Sequence, residues 1–244
     1  MLAVIGGTGM SELAAIEIIR RKGSETPLGA ASSGVLHARL DGHELLFLAR
    51  HGHPHKMPPH RINYRANLWA LKQAGATRVV GVNAVGGIEA ALSPGTMVIP
   101  DQLIDYTHDR EATFFDGRFR PLQHIDFSWP YTETLRQDLS NAAADCGETV
   151  ISGGVYGATQ GPRLETAAEI ARMTRDGCTL VGMTGMPEAV LARELGMEYA
   201  CLALVVNPAA GVTEHEISME EIHAVLEQGV ERARRVIRAL LEHA

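Results

Sequence analysis

Short stretches of this sequence carry residues suited to gripping an anion and a flat polar ring. "ARHGHPHKMPPHR" gathers Arg50, His51, His53, His55, His60 and Arg61 in one proline-rich loop. Its histidines invite a metal, yet the loop holds no Asp, Glu or Cys to complete a tetrahedral set, and Arg50 beside them repels a cation. Phosphate suits this cluster better. "IGGTGMSE" ends an apolar run in a glycine-rich turn whose amides, with the hydroxyl of Thr8, can cradle an oxyanion. As a dinucleotide fingerprint it fails, because Glu12 stands where a third glycine belongs and no acidic ribose ligand follows about 20 residues later.

Three further stretches place polar groups at the ends of apolar runs. "GVNAVGGI" ends near Asn83 and Ala84, with two glycines that let a ring approach the backbone. "YGATQGPRLETAAE" passes through Gly161-Pro162 to Glu165, and "LALVVNPAAG" runs Leu202 to Val206 into the lone amide of Asn207. Each has a plainer explanation beside the chemical one. A carboxylate at a helix start favours the helix dipole, and Asn-Pro is an ordinary turn former.

The elements that must position these groups alternate strand and helix. Apolar β-type runs "LAVIGG", "VLHARL", "ELLFLAR", "RVVGVNAVGG", "TMVIP", "SGGVYGATQG", "CTLVGMT" and "YACLALVVN" are separated by helical patterns, the rhythm of an α/β fold. A turn at Asp41-Gly42 joins the second and third runs. Apolar spacing predicts helices over Arg61 to Ala74, stopped by Gly75, and over Pro187 to Leu195, stopped by Gly196. A capping box at Ser218 to Glu221 announces a last helix with Ile222, Val225, Leu226, Val230 and Ala233 on one stripe. The polar, aromatic stretch from 105 to 131 is weakly periodic, as expected of a functional cover or an interface.

Composition narrows the class. With 244 residues and 45% hydrophobic content the chain can bury one sizeable core, and without linker or repeat it reads as a single domain over 1–244. The net charge of -7 and the scattered 22 Lys and Arg residues argue against nucleic acid as a partner. Only three cysteines occur, Cys146, Cys178 and Cys201, without CxxC spacing, so a reducing cytoplasmic setting is expected. No stretch reaches the ~18 apolar residues of a membrane span, so no membrane partner is expected.

Taken together, "IGGTG", "LLFLARHG", "NYRANLWALKQAG", "GPRLETAAE", "VGMTGMPEAVLARELG" and the strand into Asn207 resemble, in order and spacing, the trimeric purine nucleoside phosphorylase and methylthioadenosine phosphorylase family. The resemblance covers nearly the whole chain. It implies a mixed central β-sheet flanked by helices, a homotrimer, and reversible attack of inorganic phosphate, a co-substrate, on a purine (thio)nucleoside without metal or organic cofactor. It assigns phosphate to Thr8, Arg50, His51, Ala84 and Thr184, with Asn83 where relatives often have Thr or Ser. Met183 matches the methionine beneath the ribose. Leu164 takes the usual place of a phenylalanine that packs on the base, and His124 resembles the histidine lent across the trimer interface to a neighbour's 5′ pocket. In such chemistry Arg50 and His51 hold the phosphate below the anomeric carbon, while Asn207 stabilises charge arriving on the departing purine.

The same resemblance bears on the substrate. Relatives that cleave adenine thionucleosides carry aspartates at positions 207 and 209, whereas this chain has Asn207 and Ala209. Asn207 with Glu165 resembles the pair of relatives acting on 6-oxopurines: a carboxylate accepts from the protonated ring nitrogen 1 of hypoxanthine or guanine but faces a lone pair in adenine. Where relatives taking ordinary nucleosides offer a histidine to the 5′-hydroxyl, "HEISMEEI" supplies Ile217, Met219 and Ile222, as a methylthio group would prefer. A capped amphipathic helix needs apolar positions there anyway, and His215 and His223 lie close by. Phosphorolysis of S-methyl-5′-thioinosine is therefore expected. The alternatives are phosphorolysis of inosine or guanosine, phosphorolysis of methylthioadenosine, and, from other classes, a hydrolytic nucleosidase or a non-catalytic purine nucleoside binder.

Overall fold

Strand β1 (Leu2–Gly6) is buried along its whole length. Its side chains alternate between two apolar clusters, Ala3 and Ile5 entering one and Leu2 and Val4 the other, as the two-residue period of a strand requires. A strand buried on both faces must have helices on both sides of its sheet, and it does. Helices α1 (Tyr64–Gln73) and α4 (Gly185–Glu194) supply Leu68, Leu71, Ala189 and Leu191 to the first cluster. Helices α2 (Glu133–Asp145) and α5 (Met219–Glu242) supply Leu135, Leu139, Leu226 and Ile237 to the second. Helix α3 (Ala167–Arg175) adds Ile170 and Met173 to a smaller third cluster with Val181. This computed structural model describes residues 1–7, 16–214 and 216–243; Thr8, Glu12 and His215 lie outside the described residues.

After β1 the strands follow as β2 (Ile16–Arg21), β3 (Glu25–Thr26), β4 (Gly29–Ala30), β5 (Leu36–Leu40), β6 (His43–Ala49), β7 (Arg78–Gly87), β8 (Met97–Ile99), β9 (Gln102–Asp105), β10 (Val150–Ser152), β11 (Val155–Ala158), β12 (Leu180–Gly182) and β13 (Glu198–Pro208). The main sheet runs β10-β8-β13-β7-β1-β6-β5-β2, and β12, β11 and β9 branch from the end of β7. Pairings at its centre are parallel, β6-β1-β7-β13, while β5, β2 and the β12-β7 junction are antiparallel. This is the mixed sheet flanked by helices that the family resemblance implies. The β5-β6 hairpin turns on Asp41 and Gly42 with φ of 47° and 91°, the left-handed pair a two-residue turn between twisted strands demands.

Some boundaries differ from expectation. The helix foreseen from Arg61 begins at Tyr64, because Pro59–Arg61 forms a 3-10 turn and Asn63 accepts the Ala66 amide at 3.0 Å as N-cap. Near Pro187 the backbone of Met186 and Pro187 is non-helical, so α4 becomes regular only from Glu188. At α5, Ser218 accepts the Glu221 amide at 3.4 Å. The complete capping box belongs instead to Thr166 and Glu169 of α3. Helix α2 and strands β2, β9 and β10 occupy stretches where no element was foreseen. Residues 106–132 contain no helix or strand. No helix among the described residues is long and apolar enough to cross a membrane.

Candidate active site

Strands β7 and β13 lie side by side and parallel, Ala203 opposite Asn83 and Leu204 opposite Ala84, until the register shifts between Val205 and Asn207. Val206 is the extra residue of a bulge, a device that re-aims the side chains after it. Just there, at the carboxyl ends of the strands where open α/β sheets bind ligands, a cavity of about 630 Å³ opens. His51, Ala84, Glu165, Met183, Thr184 and Asn207 line it together. So do Leu164, Ala209 and Met219, which supply apolar wall.

Arg50 and Asn83, both expected to touch phosphate, stand behind this wall and are buried. Arg50 donates from Nε and Nη2 to the two oxygens of Glu188, each at 2.8 Å, from Nη2 to Asn83 Oδ1 at 3.1 Å, and from Nη1 to the Val82 carbonyl at 2.9 Å. Gly81 makes room for the pair: a Cβ there would lie 2.8 Å from Glu188 Oε1. Every N–H of the fork but one of Nη1 thus has a partner among the described residues. That Nη1 lies beside Gly7, where an added Cβ would come within 2.8 Å of it. Burial opposes the Arg50 charge and the Glu188 carboxylate more than offsets it, so the pKa is raised and the guanidinium stays ionised. Asn83 spends its amide inside the protein as well, donating to Thr184 Oγ1 at 3.0 Å and to the Tyr156 hydroxyl at 3.3 Å. With its oxygen already accepting from Asn83, Thr184 has its own hydroxyl hydrogen left for the cavity. Asn83 is therefore a support for Thr184 rather than a lining residue.

His51 sits in the bend after β6, its Nδ1 2.8 Å from the Met57 carbonyl and its ring stacked on His55 at 4.3 Å. A carbonyl only accepts, so Nδ1 carries the proton. Burial, then the neighbouring Arg50 charge, pulls the pKa down to about 4, leaving a neutral ring whose Nε2 is an acceptor.

At the other end of the cavity Glu165 precedes helix α3, whose N-terminus is capped by Thr166 and Glu169. Glu165 therefore has no capping task. Its Oε1 accepts from Thr159 Oγ1 at 2.6 Å, and its second oxygen remains for another donor. Asn207 donates from Nδ2 to the Pro208 carbonyl at 2.6 Å, which fixes the orientation of the amide and leaves Oδ1 and one N–H for a ligand. Leu164 is partly exposed at the mouth, and Met219, the first residue of α5, is 57% exposed. His124 is exposed in the irregular segment and lines none of this cavity. Thr8 lies outside the described residues.

Several residues of the site carried no mark in the sequence. Glu188 anchors Arg50 and accepts from the Tyr199 hydroxyl at 2.8 Å; one acid in the otherwise apolar "GMPEAVLA" was the available signal. Thr159 orients Glu165. His223, which the sequence placed near Met219, lines the cavity one helical turn after it. Among the described residues no group of three or more His, Cys, Asp or Glu side chains is placed to hold a metal ion.

A family model described as the phosphorylase superfamily matches residues 1–242. The chain belongs to this superfamily. Among phosphorylases it is 53% identical over 239 residues to a protein of Pseudomonas syringae pv. tomato named as a probable S-methyl-5′-thioinosine phosphorylase, covering 98% of this chain and 97% of that one. It is 55% identical over 222 residues to one of the same name from Xanthomonas campestris pv. campestris, covering 91% and 89% of the two chains. Its fold superimposes on methylthioadenosine phosphorylase from Schistosoma mansoni in complex with adenine with a TM-score of 0.93 at 28% identity, covering 99% and 90%. The family resemblance in the sequence and these phosphorylases agree.

Proposed function

We propose that the protein catalyses phosphate-dependent cleavage of S-methyl-5′-thioinosine to hypoxanthine and 5-methylthioribose 1-phosphate. The observation that carries this reading is the meeting of Glu165 and Asn207 in one cavity whose far rim, Ile217, Met219 and Ile222, is apolar. The relatives named for methylthioinosine support it. A phosphate oxygen attacks the anomeric carbon while the bond to the purine breaks, and the bonding electrons pass to the ring. Asn207 donates to ring nitrogen 7 as charge arrives, and Glu165 accepts from ring nitrogen 1. Thr184, the Ala84 backbone, His51, Arg50 and Thr8 are the phosphate-side groups. Met183 forms the floor of the sugar site, with Leu164 and Ala209 against the base. No metal or organic cofactor is needed.

The same reading takes the protein as a cytoplasmic homotrimer that acts on small molecules. Its irregular segment exposes Leu122 at 73% and Trp129 at 68%, apolar surface suited to a subunit contact, with His124 between them to complete a neighbour's 5′ pocket. One observation favours inosine as a second substrate: His223 lines the cavity near Met219 and offers a partner for a 5′-hydroxyl. Product analysis with and without phosphate tests the proposal. Sugar 1-phosphate formed only with phosphate supports it; free sugar in phosphate-free buffer points to a hydrolase, and binding without turnover to a nucleoside sensor.

A further inference from the structure

The irregular segment after β9 sends one side chain across the back of both cavity walls. Arg110, half-buried, donates from Nη1 to the carbonyls of Met183 at 2.9 Å and Met186 at 2.6 Å, and from Nη2 to those of Thr159 at 3.1 Å and Gln160 at 2.8 Å. Its Nε donates to Gln160 Oε1 at 3.1 Å, and its guanidinium lies 5.4 Å from the centre of the Tyr64 ring. A guanidinium is a rigid fork of N–H donors, and here each donor has an oxygen. Just before it Asp109 adopts φ of 55°, a left-handed conformation uncommon outside glycine, which turns the chain to deliver Arg110 inward.

The two pairs of carbonyls belong to different walls. Met183 and Met186 flank the start of α4 and carry the sugar floor, while Thr159 and Gln160 lead from β11 to Glu165. The walls touch at Gly161, whose φ of 61° and proximity to Met183, 2.5 Å from an added Cβ to Sδ, leave no space for a side chain. Behind them, carbonyl oxygens converge on one point. The walls are joined at their base, where β11 pairs with β12 and the Thr159 amide donates to the Gly182 carbonyl at 2.8 Å; beyond that pairing the converging carbonyl dipoles would repel without a cation between them. The path to the base is short: Thr159 accepts from Arg110 through its carbonyl and donates to Glu165 through its hydroxyl at 2.6 Å. The phosphate side is anchored separately, Thr184 by Asn83, Arg50 by Glu188 and His51 by Met57.

We propose that Arg110 is a positioning residue for nucleoside recognition, setting the separation between the Met183 floor and the Glu165 loop and so the strength and selectivity with which the purine nucleoside is held. This rests on the assignment of the cavity to a purine nucleoside. The full-length variants Arg110→Gln and Arg110→Lys test it through phosphorolysis of methylthioinosine and methylthioadenosine at varied nucleoside and varied phosphate. Arg110→Gln is expected to raise the nucleoside KM by about ten-fold, to leave the phosphate KM within about two-fold, and to narrow the preference between the two bases. Arg110→Lys, which keeps the charge but not the fork, should recover part of both. A variant with a lower Tm but unchanged nucleoside KM and base preference overturns the proposal, as does a parallel loss for phosphate and nucleoside. If Arg110→Gln is not recovered folded, Arg110→Lys decides alone, and an unchanged nucleoside KM there overturns it. Wild-type protein inactive on every purine nucleoside overturns the assignment of the cavity instead.

Discussion

Arg50 and Glu188 form a two-point ion pair sealed inside the protein, with both contacts at 2.8 Å and neither residue accessible to solvent. The pair aims the guanidinium, and it also cancels most of its charge. Phosphate at this end of the cavity would then be held mainly by directed donors, the Thr184 hydroxyl and backbone amides, rather than by a strong positive field.

Removing the carboxylate tests this arrangement. Glu188→Ala leaves a buried, unpaired guanidinium and is expected to cost about 3–5 kcal/mol of stability, read by urea unfolding. Glu188→Gln keeps one acceptor and should cost less, while raising the phosphate KM because Arg50 loses its fixed orientation. Wild-type stability and phosphate KM in both variants would remove the pair from its supporting role.

His51 makes stability depend on pH in a defined window. Its ordinary value of 6.5 falls to about 4 in the folded protein, because of burial and the neighbouring Arg50. Between these values the unfolded chain binds a proton that the folded one does not, so stability falls as the pH drops from 6.5 toward 4, by about 3 kcal/mol at most. His51→Asn should flatten the curve of unfolding free energy against pH over this range. An equal slope in the variant and the wild type would place the titration elsewhere.

His223 and Met219 both line the cavity near the start of α5, where the proposed function places the 5′ group. His223→Leu should lower kcat/KM for inosine by about five-fold while sparing methylthioinosine, since a single neutral hydrogen bond is worth about 1 kcal/mol. Met219→His should move the ratio the other way. If neither variant changes the ratio of inosine to methylthioinosine, the sugar's 5′ group lies away from the start of α5.

Base selection is open to redesign. Asn207→Asp with Ala209→Asp supplies acceptors for an adenine amino group, and Glu165→Ser removes the carboxylate that faces the lone pair of ring nitrogen 1. Together they should shift preference toward methylthioadenosine. Ala209 is 3% exposed, and its Cβ would lie 3.5 Å from a Cβ added at Gly86, so the new carboxylate is buried and the Tm should fall. A triple variant that stays folded and keeps the wild-type preference would exclude these positions from base reading.

The centre of the sheet was legible because strands such as β1, β7 and β13, buried on both faces, read as unbroken apolar runs, while exposed β2 and β10 did not; the hairpin was legible because Asp41-Gly42 has only one comfortable geometry. Helix α2 was not foreseen, because "ETLRQDLSNAAAD" is polar by composition and shows its buried stripe of Leu135, Leu139 and Ala142 only at helical spacing. The cavity residues were marked by polar groups at the ends of apolar runs, as at Asn207. Their supports were not. Arg110 sits in a polar segment without period, and Thr159 resembles any strand-end threonine. The bulge at Val206 that re-aims Asn207 depends on pairing with β7, which lies more than a hundred residues away in the sequence.

Asn207 and Glu165 can be tested together by a single comparison in phosphate buffer, kcat/KM for methylthioinosine against methylthioadenosine on the unmodified protein. Adenine leaves both side chains facing mismatched groups, each buried mismatch costing about 1–3 kcal/mol. Methylthioinosine should therefore be preferred by at least about thirty-fold. Equal turnover of the two nucleosides would contradict a base-reading role for the pair and leave Asn207 as the turn residue before Pro208.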